Sequence, residues 1–380
     1  MRALRRSLFV LAIVIVLGLL FAVPWWTLVW SDDWPAPVTV IGTVVFGVAL
    51  VAFPALMVVG HGKRHRDVAA RIGDTMLGVS WVALSWSVLG IVARLVLALS
   101  GVDGHTRCRV VAFAVLGIVI VLVVLGYAEA MRLPRTRRVD VVLPRLGRGL
   151  DGLRVAVLAD THFGPIDRRR WSARVADVVN GLTADVVCHA GDLADGTVEQ
   201  RRDQVAPLGT VRATMARLYI TGNHEYFSEA QSWLDHMAGL GWEPMHNRHM
   251  VVERGGDRLV LAGIDDPTGV SSGLTGHGPD LTAALDGADP DTPVLLLAHQ
   301  PKQVTVAAAV GVDLQISGHT HGGQIWPFHL IVRLDQKFLH GLHRINDRTQ
   351  LYTSRGAGFW GPPLRVFAPS EITLLTLRSG

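Results

Sequence analysis

Four apolar stretches, Leu8 to Trp30, Val38 to Val59, Met76 to Leu99 and Val110 to Tyr127, constrain this chain more than any other feature of its sequence. Each approaches the roughly 20 residues that an α-helix needs to cross a hydrocarbon core of about 30 Å. A mean hydropathy of +0.34 with only 18% charged residues over 380 positions is too apolar for a single soluble globule. The first stretch follows Arg2, Arg5 and Arg6 but exceeds the apolar segment of a signal peptide and precedes no small-residue cleavage site, so it reads as a retained helix. Arg94 is the one Lys or Arg within a span; it is expected near the outer interface, its head group snorkelling to water.

Positive charge accumulates at the cytoplasmic ends of membrane helices. The N-terminus, the loop with Lys63, Arg64, Arg66 and Arg71, and the segment with Arg132, Arg135, Arg137 and Arg138 place eleven basic residues on one side. The other side receives Arg107 and Arg109, with Asp32, Asp33 and Asp103. Both termini are therefore expected in the cytoplasm, in a multi-pass protein of the cell membrane. Trp25, Trp26, Trp30 and Trp34 gather at the outer end of the first hairpin, where interfacial aromatics belong. Cys108 and Cys188 then fall on opposite sides of the bilayer, which excludes a disulfide framework.

The texture changes after the fourth span. Residues 1–131 read as the membrane domain, 132–150 as a basic linker with a short strand from Val139 to Leu143, and 151–380 as one catalytic domain. From Leu153 onward short apolar runs alternate with amphipathic stretches, the pattern of an α/β domain. Leu153 to Ala159, Asp185 to Ala190, Arg217 to Ile220, Arg258 to Ile264, Val294 to Ala298 and Asp313 to Ile316 read as strands, and Trp171, Val175, Val178 and Leu182 as one helix face. Residues 140–380 carry 22 basic against 26 acidic side chains. That balance disfavours nucleic acid as a partner, since binding it requires a concentrated basic face.

Five polar clusters end these strands, where an open α/β sheet offers its ligand crevice. They are Asp160 and His162; Asp192; Asn223 with His224; His299; and His319 with His321. Each alone is more simply a turn or a satisfied polar group; their conjunction is what points to chemistry. Carboxylate, imidazole and amide oxygen without cysteine suit two borderline divalent ions, Mn, Fe, Zn or Co. A pair about 3.5 to 4 Å apart, sharing one carboxylate, can engage phosphate oxygens and acidify a water for in-line attack.

The ordered set Asp-x-His, Gly-Asp-x-x-Asp, Gly-Asn-His-Glu, a lone His and Gly-His-x-His resembles the calcineurin-like metallophosphoesterases, over about Leu153 to the C-terminus. The phrase Gly318 to Pro327 is similar to the membrane-linked branch that includes bacterial UDP-diacylglucosamine hydrolases. The resemblance implies two mixed β-sheets flanked by helices, joined here to an all-α four-helix transmembrane domain. It implies a first metal site of Asp160, His162, Asp192 and His321 and a second of Asp192, Asn223, His299 and His319, with Asp192 as bridge. It makes His224 the residue that contacts phosphate and protonates the leaving oxygen. Asp195 is read as a brace for its loop, outside the ligand set. His189, His246, His249, His277, His329, His340 and His343 fall outside the pattern and are expected to pack or face solvent, although His277 and the Asp265–Asp266 pair could border the cleft. The tail Ser354 to Pro363 is either an apolar lip over the site or a packed corner.

The implied activity is hydrolysis of a phosphoester or pyrophosphate bond in a small-molecule or lipid-linked substrate, with the bilayer as partner. Rivals are a phosphodiesterase of soluble nucleotides tethered by its helices, a nuclease, and a membrane scaffold without catalysis. The complete ligand set counts against the scaffold.

Overall fold

The computed structural model describes residues 2–31, 34–62 and 65–380. Asp32, Asp33, Lys63 and Arg64, four of the charges that orient the spans, lie outside the described residues, as do the side chains of Arg2, Arg5 and Arg6. The chain forms two compact units: one of residues up to Glu129 with Gly361–Val366, the other of Ala130–Trp360 with Phe367–Gly380.

The first unit is built on α1 (Arg2–Trp25), α2 (Ala36–His61), α3 (Asp67–Leu99) and α4 (Gly104–Met131), all long and apolar enough to cross a membrane. After Pro24 the first helix widens into a π-helical turn, Trp26–Trp30, a local adjustment that proline commonly forces. Val40, Ile41, Val51, Leu95 and Leu125 project outward, exposed. Water would not tolerate so continuous an apolar surface, whereas lipid solvates it while each helix satisfies its own backbone. Inside, small residues permit close approach: a Cβ on Gly60 would overlap the Ala70 backbone, and one on Gly90 would press on Val111 and Val115. The segment Gly361–Val366 packs in this unit, Arg365 N–H donating to Gly126 O at 3.0 Å and Leu364 lying against Gly78.

Arg94 does not snorkel. It is buried, donating to Ser31 Oγ and to the carbonyls of Thr27 and Cys108, with its guanidinium 5.4 Å from the Trp26 ring centre. The widened turn Trp26–Trp30 and the Thr27 carbonyl supply partners that no composition reading could reveal. Asp74, also buried, accepts from His61 Nε2 at 2.9 Å between α3 and α2.

The second unit contains two six-stranded sheets. Its strands are β1 (Arg135–Leu143), β2 (Leu153–Leu158), β3 (Val186–Ala190), β4 (Ala216–Ile220), β5 (Glu243–Pro244), β6 (Arg248–Arg254), β7 (Asp257–Gly263), β8 (Val294–Leu297), β9 (Leu314–Ser317), β10 (Gly341–Arg344), β11 (Gln350–Thr353) and β12 (Glu371–Ser379). Its helices are α5 (Arg169–Gly181), α6 (Val198–Val205), α7 (Asn223–Tyr226), α8 (Ala230–Gly239), α9 (Leu281–Leu285), α10 (Val304–Ala309) and α11 (His329–Gln336). One sheet runs β1-β12-β2-β3-β4-β5, with β12 parallel to β1 and antiparallel to β2. The other runs β10-β11-β9-β8-β7-β6, parallel in the middle with antiparallel edges.

The sheets meet across one core in which Val155, Val157, Cys188 and Leu218 face Leu261, Leu295, Leu297, Leu314 and Ile316. Each such buried aliphatic side chain contributes about 1.5–3 kcal/mol. Helix α5 covers the outer face of the first sheet with Trp171, Val175 and Val179, joined by Trp233 and Met237 of α8, while Ala284 of α9 and Ala307 of α10 cover the second. Two mixed sheets between helices are thus the fold that the resemblance implies. The basic segment Arg135–Arg138, expected as linker, is the exposed half of β1, because main-chain pairing with Glu371–Leu374 needs no apolar side chains.

Candidate metal centre

β2, β3 and β4 lie side by side in one sheet, β8 and β9 in the other, and all five run parallel to their neighbours here. The loops after their C-terminal ends consequently converge. Asp160 and His162 follow β2, Asp192 follows β3, Asn223 and His224 open α7 after β4, His299 follows β8, and His319 and His321 follow β9. All seven proposed ligands come together in a mostly buried cleft. Asp160, His162 and His321 form one group; Asp192, His299 and His319 form a second; and Asp192 also reaches His162 and His224. His162 Nε2 stands 3.6 Å from Asp192 Oδ2, His321 Nε2 3.6 Å from Asp160 Oδ1, His299 Nε2 3.1 Å from Asp192 Oδ2, and His319 Nδ1 2.9 Å from Asn223 Oδ1.

The backbone pays a conformational penalty to present them. Asp160, His162, Asp192, His319 and His321 all have positive φ, between 43° and 71°. Non-glycine residues in that region are strained, and such strain gathers at functional sites. Two glycines make the approach possible: a Cβ on Gly222 would overlap the Asp192 carboxylate, and one on Gly318 would sit 2.5 Å from Asp160 Oδ2.

The donor set fits divalent cations on tautomer grounds. The Ala190 carbonyl accepts from His299 Nδ1 at 2.7 Å, so in the neutral ring Nε2 carries the lone pair, and it has no hydrogen-bond partner although it faces Asp192. Asp195 Oδ1 likewise accepts from His162 Nδ1 at 2.8 Å, leaving His162 Nε2 to confront His321 Nε2 at 3.0 Å. Asp160 Oδ2 is buried without a partner. Imidazole nitrogens and carboxylate oxygens crowded together in a buried cleft suit a bound cation, and imidazoles oriented by carbonyl and carboxylate acceptors are how proteins prepare metal ligands. Burial pushes the Asp160 carboxyl up to about 6, with Asp192 adding to the rise and the imidazoles of His299 and His162 opposing it.

Asp195 does more than brace a loop. Its Oδ1 holds His162 Nδ1 at 2.8 Å and His224 Nδ1 at 2.7 Å, joining a proposed ligand imidazole to the proposed acid. Burial alone would raise this carboxyl, yet the two imidazoles hold it well below the usual range. Burial opposes charge on His224, but Asp192 and then Asp195 outweigh it and raise the imidazole to about 9. With Nδ1 engaged, Nε2 is the atom that can hand a proton to a substrate.

Three further contributions escape a sequence reading. Glu225, buried, accepts from the backbone N–H groups of Asp192, Leu193, Ala194 and Gly222, tying the Asp192 loop to α7. Its place as the last residue of Gly-Asn-His-Glu, at the third position of a helix, is the available signal. Gln324 clamps Trp360, donating from Nε2 to its carbonyl at 2.7 Å and accepting from its N–H at 2.9 Å. The tail also pairs its Ala357 and Gly358 N–H groups with the Ala159 and Asp160 carbonyls, each at 2.8 Å. The tail is therefore packed along the first ligand loop, and Trp360 is its half-exposed lip, 6.4 Å from the His224 ring.

Replacing Glu225 by alanine leaves four N–H groups in the protein interior without their acceptor. At about 1–3 kcal/mol for each buried group left unsatisfied, Glu225→Ala is expected to cost at least about 3 kcal/mol. Thermal unfolding of the detergent-solubilised chain measures it, and an unchanged Tm would show that the 192–194 loop is held by something else.

The model of the calcineurin-like phosphoesterase family matches residues 153–323. A Campylobacter jejuni protein described as an uncharacterized metallophosphoesterase is 34% identical over 304 residues, covering 78% of each chain. A transmembrane protein with metallophosphoesterase domain from Danio rerio is 36% identical over 264 residues, 68% of this chain and 60% of that protein; the bovine protein of the same description is also matched over 60% of its length. Among solved structures, a dimetal phosphatase from Danio rerio aligns with a TM-score of 0.38 at 14% identity, over 60% of this chain and 93% of that one.

Proposed function

Because the chain belongs to the calcineurin-like phosphoesterases, we propose that it is a membrane-anchored, metal-dependent hydrolase acting on a phosphoester or pyrophosphate bond in a lipid-linked substrate, with its catalytic unit in the cytoplasm. The convergence of seven ligand-type side chains, Asp192 at their centre, is the observation that carries the hydrolase reading. Asp160, His162, Asp192 and His321 would hold one divalent ion, and Asp192, Asn223, His299 and His319 the other. Ions bound there supply Lewis acidity and a water acidic enough to attack phosphorus.

The chain's own groups do the rest. Asp195 fixes the His224 ring through Nδ1 so that Nε2 can deliver a proton to the departing oxygen. Glu225 keeps Asp192 and α7 in register through the four N–H groups it accepts. Asp192 Oδ1 additionally accepts from the His224 N–H at 2.9 Å, which ties the carboxylate that would serve both ions to the residue that carries the acid.

The lipid-linked substrate is supported by the surroundings of His224. The exposed rings of Phe227 and Trp360 lie 5.3 and 6.4 Å from it, a surface suited to the apolar part of a substrate. Helix α11, which begins eight residues after His321, exposes Leu330, Ile331 and Leu334, the habit of a helix that lies in a headgroup layer. The cytoplasmic orientation rests on the eleven-to-two distribution of basic residues across the spans.

The full chain in vesicles is expected to hydrolyse at least one lipid-borne phosphoester about tenfold or more faster than the same headgroup freed of its acyl chains, a difference equivalent to ~1.4 kcal/mol of apolar contact. Equal rates on both would remove the lipid from the proposal, and turnover of soluble nucleotides alone would favour a tethered nucleotide phosphodiesterase. For orientation, a reporter that is active only outside the cytoplasm, fused after Gly380, is expected to stay silent. Activity of that reporter would move catalysis to the other side.

A further inference from the structure

A second convergence of ligand-type side chains lies outside the seven. Asp265 follows β7, His246 precedes β6, and His277 sits in the loop before α9. His246 Nδ1 is 2.8 Å from Asp265 Oδ1 and His277 Nδ1 3.7 Å from Asp265 Oδ2, with the two imidazole centres 4.5 Å apart. One donor atom from each of the three falls within 4.8 Å of the others. These separations match those inside the main centre, where His299 and His162 stand 3.1 and 3.6 Å from Asp192.

The surroundings are those of a prepared ligand set. Gln231 Oε1 accepts from His277 Nε2 at 3.1 Å, which leaves the lone pair on Nδ1, turned toward Asp265 and the Tyr226 hydroxyl at 3.0 Å. Asp265 is buried and accepts from the Gly278 N–H at 3.1 Å. Asn247 pins all three loops by accepting from the N–H groups of Asp265 and Asp280 and donating to the Gly278 carbonyl. Acceptors that orient imidazoles, and donors that orient a carboxylate, are the outer partners that metal ligands require. Asp266, also buried, adds a second carboxylate at the same strand end, and neither aspartate pairs with a lysine or arginine among the described residues. His246 is a third exposed, leaving an open side for water or a further ligand.

We propose that His246, Asp265 and His277 form a third metal site, for a single first-row divalent ion of the zinc class, separate from the dimetal cleft. Two imidazoles and one carboxylate with an open position are the donor set such ions accept. Tyr226 shares α7 with Asn223 and His224, so an ion here would clamp the β7 end and the 277–280 loop against the helix that carries the proposed acid.

The test is zinc stoichiometry on the full chain, solubilised in detergent, stripped with chelator and re-equilibrated with zinc alone. Wild type is expected to retain one equivalent more than His246→Ala, whose one-third-exposed side chain can be removed without opening the core, and one more than His277→Gln. Asp192→Asn is expected to keep that equivalent while losing zinc from the main centre, so a failure of the dimetal reading and a failure of this one give different counts. Equal zinc in wild type and in both folded histidine variants would overturn the proposal and leave the cluster as a hydrogen-bonded brace.

Discussion

His224→Ala is expected to lower turnover by about 100- to 10,000-fold, the range of a general acid, while metal content stays at the wild-type level. The imidazole is hydrogen-bonded to the centre through Asp195, which keeps its bond to His162 when the imidazole is gone. The tie between this position and Asp192 is made by the backbone N–H, which alanine retains. A proton donor matters most when the departing oxygen is a poor leaving group. The loss should therefore be large on alkyl phosphoesters and much smaller on p-nitrophenyl esters, whose leaving oxygen departs without help. An equal loss on both substrates, or loss of metal, would assign His224 a structural role instead. Asp195→Asn should move turnover in the same leaving-group-dependent way but less far, because an amide can still accept from one imidazole.

How much of this was legible beforehand depends on what each residue answers to. The metal-centre candidates could be found because strands in an α/β domain announce themselves as apolar runs, and polar residues at their ends stand out in order: Asp160, Asp192, Asn223, His299, His319. The spans were legible for a similar reason, since lipid sets a length and composition that few other environments demand. What stayed hidden was set by tertiary pairing. Nothing about Arg135–Arg138 suggests a strand until β12, more than two hundred residues later, lies beside it. Asp195 could be recognised as a supporting carboxylate, but not as the single oxygen shared by His162 and His224, because that depends on where two other loops arrive. The same holds for Gln324 clamping Trp360 and for the group of His246, Asp265 and His277, drawn from three separate loops. Arg94 failed the expectation of snorkelling because its partners, Ser31 and the Thr27 and Cys108 carbonyls, come from the neighbouring helices and the turn after α1, and helix packing is not written in hydropathy.

The positive φ values at five of the proposed ligand positions were also invisible, since aspartate and histidine enter the left-handed region far less often than glycine and do not announce it. They make a physical point about the centre. The fold presents these side chains at a cost in backbone strain, repaid by the sheet pairing on either side and by acceptors such as Glu225.

Asp192 is where the account can be tested most directly. Its Oδ2 lies 3.6 Å from His162 and 3.1 Å from His299, and no other acidic side chain among the described residues belongs to two of the ligand-type groups, one through His162 and one through His299. An amide in its place keeps the shape and the acceptor for the His224 N–H but removes the charge that two cations would share. Elemental analysis of the full chain, wild type against Asp192→Asn, read together with phosphoester turnover, is the deciding measurement. Two fewer ions per chain are expected in the variant, with turnover at or near background; Asp192→Asn with both ions still bound and turnover intact would contradict the dimetal assignment.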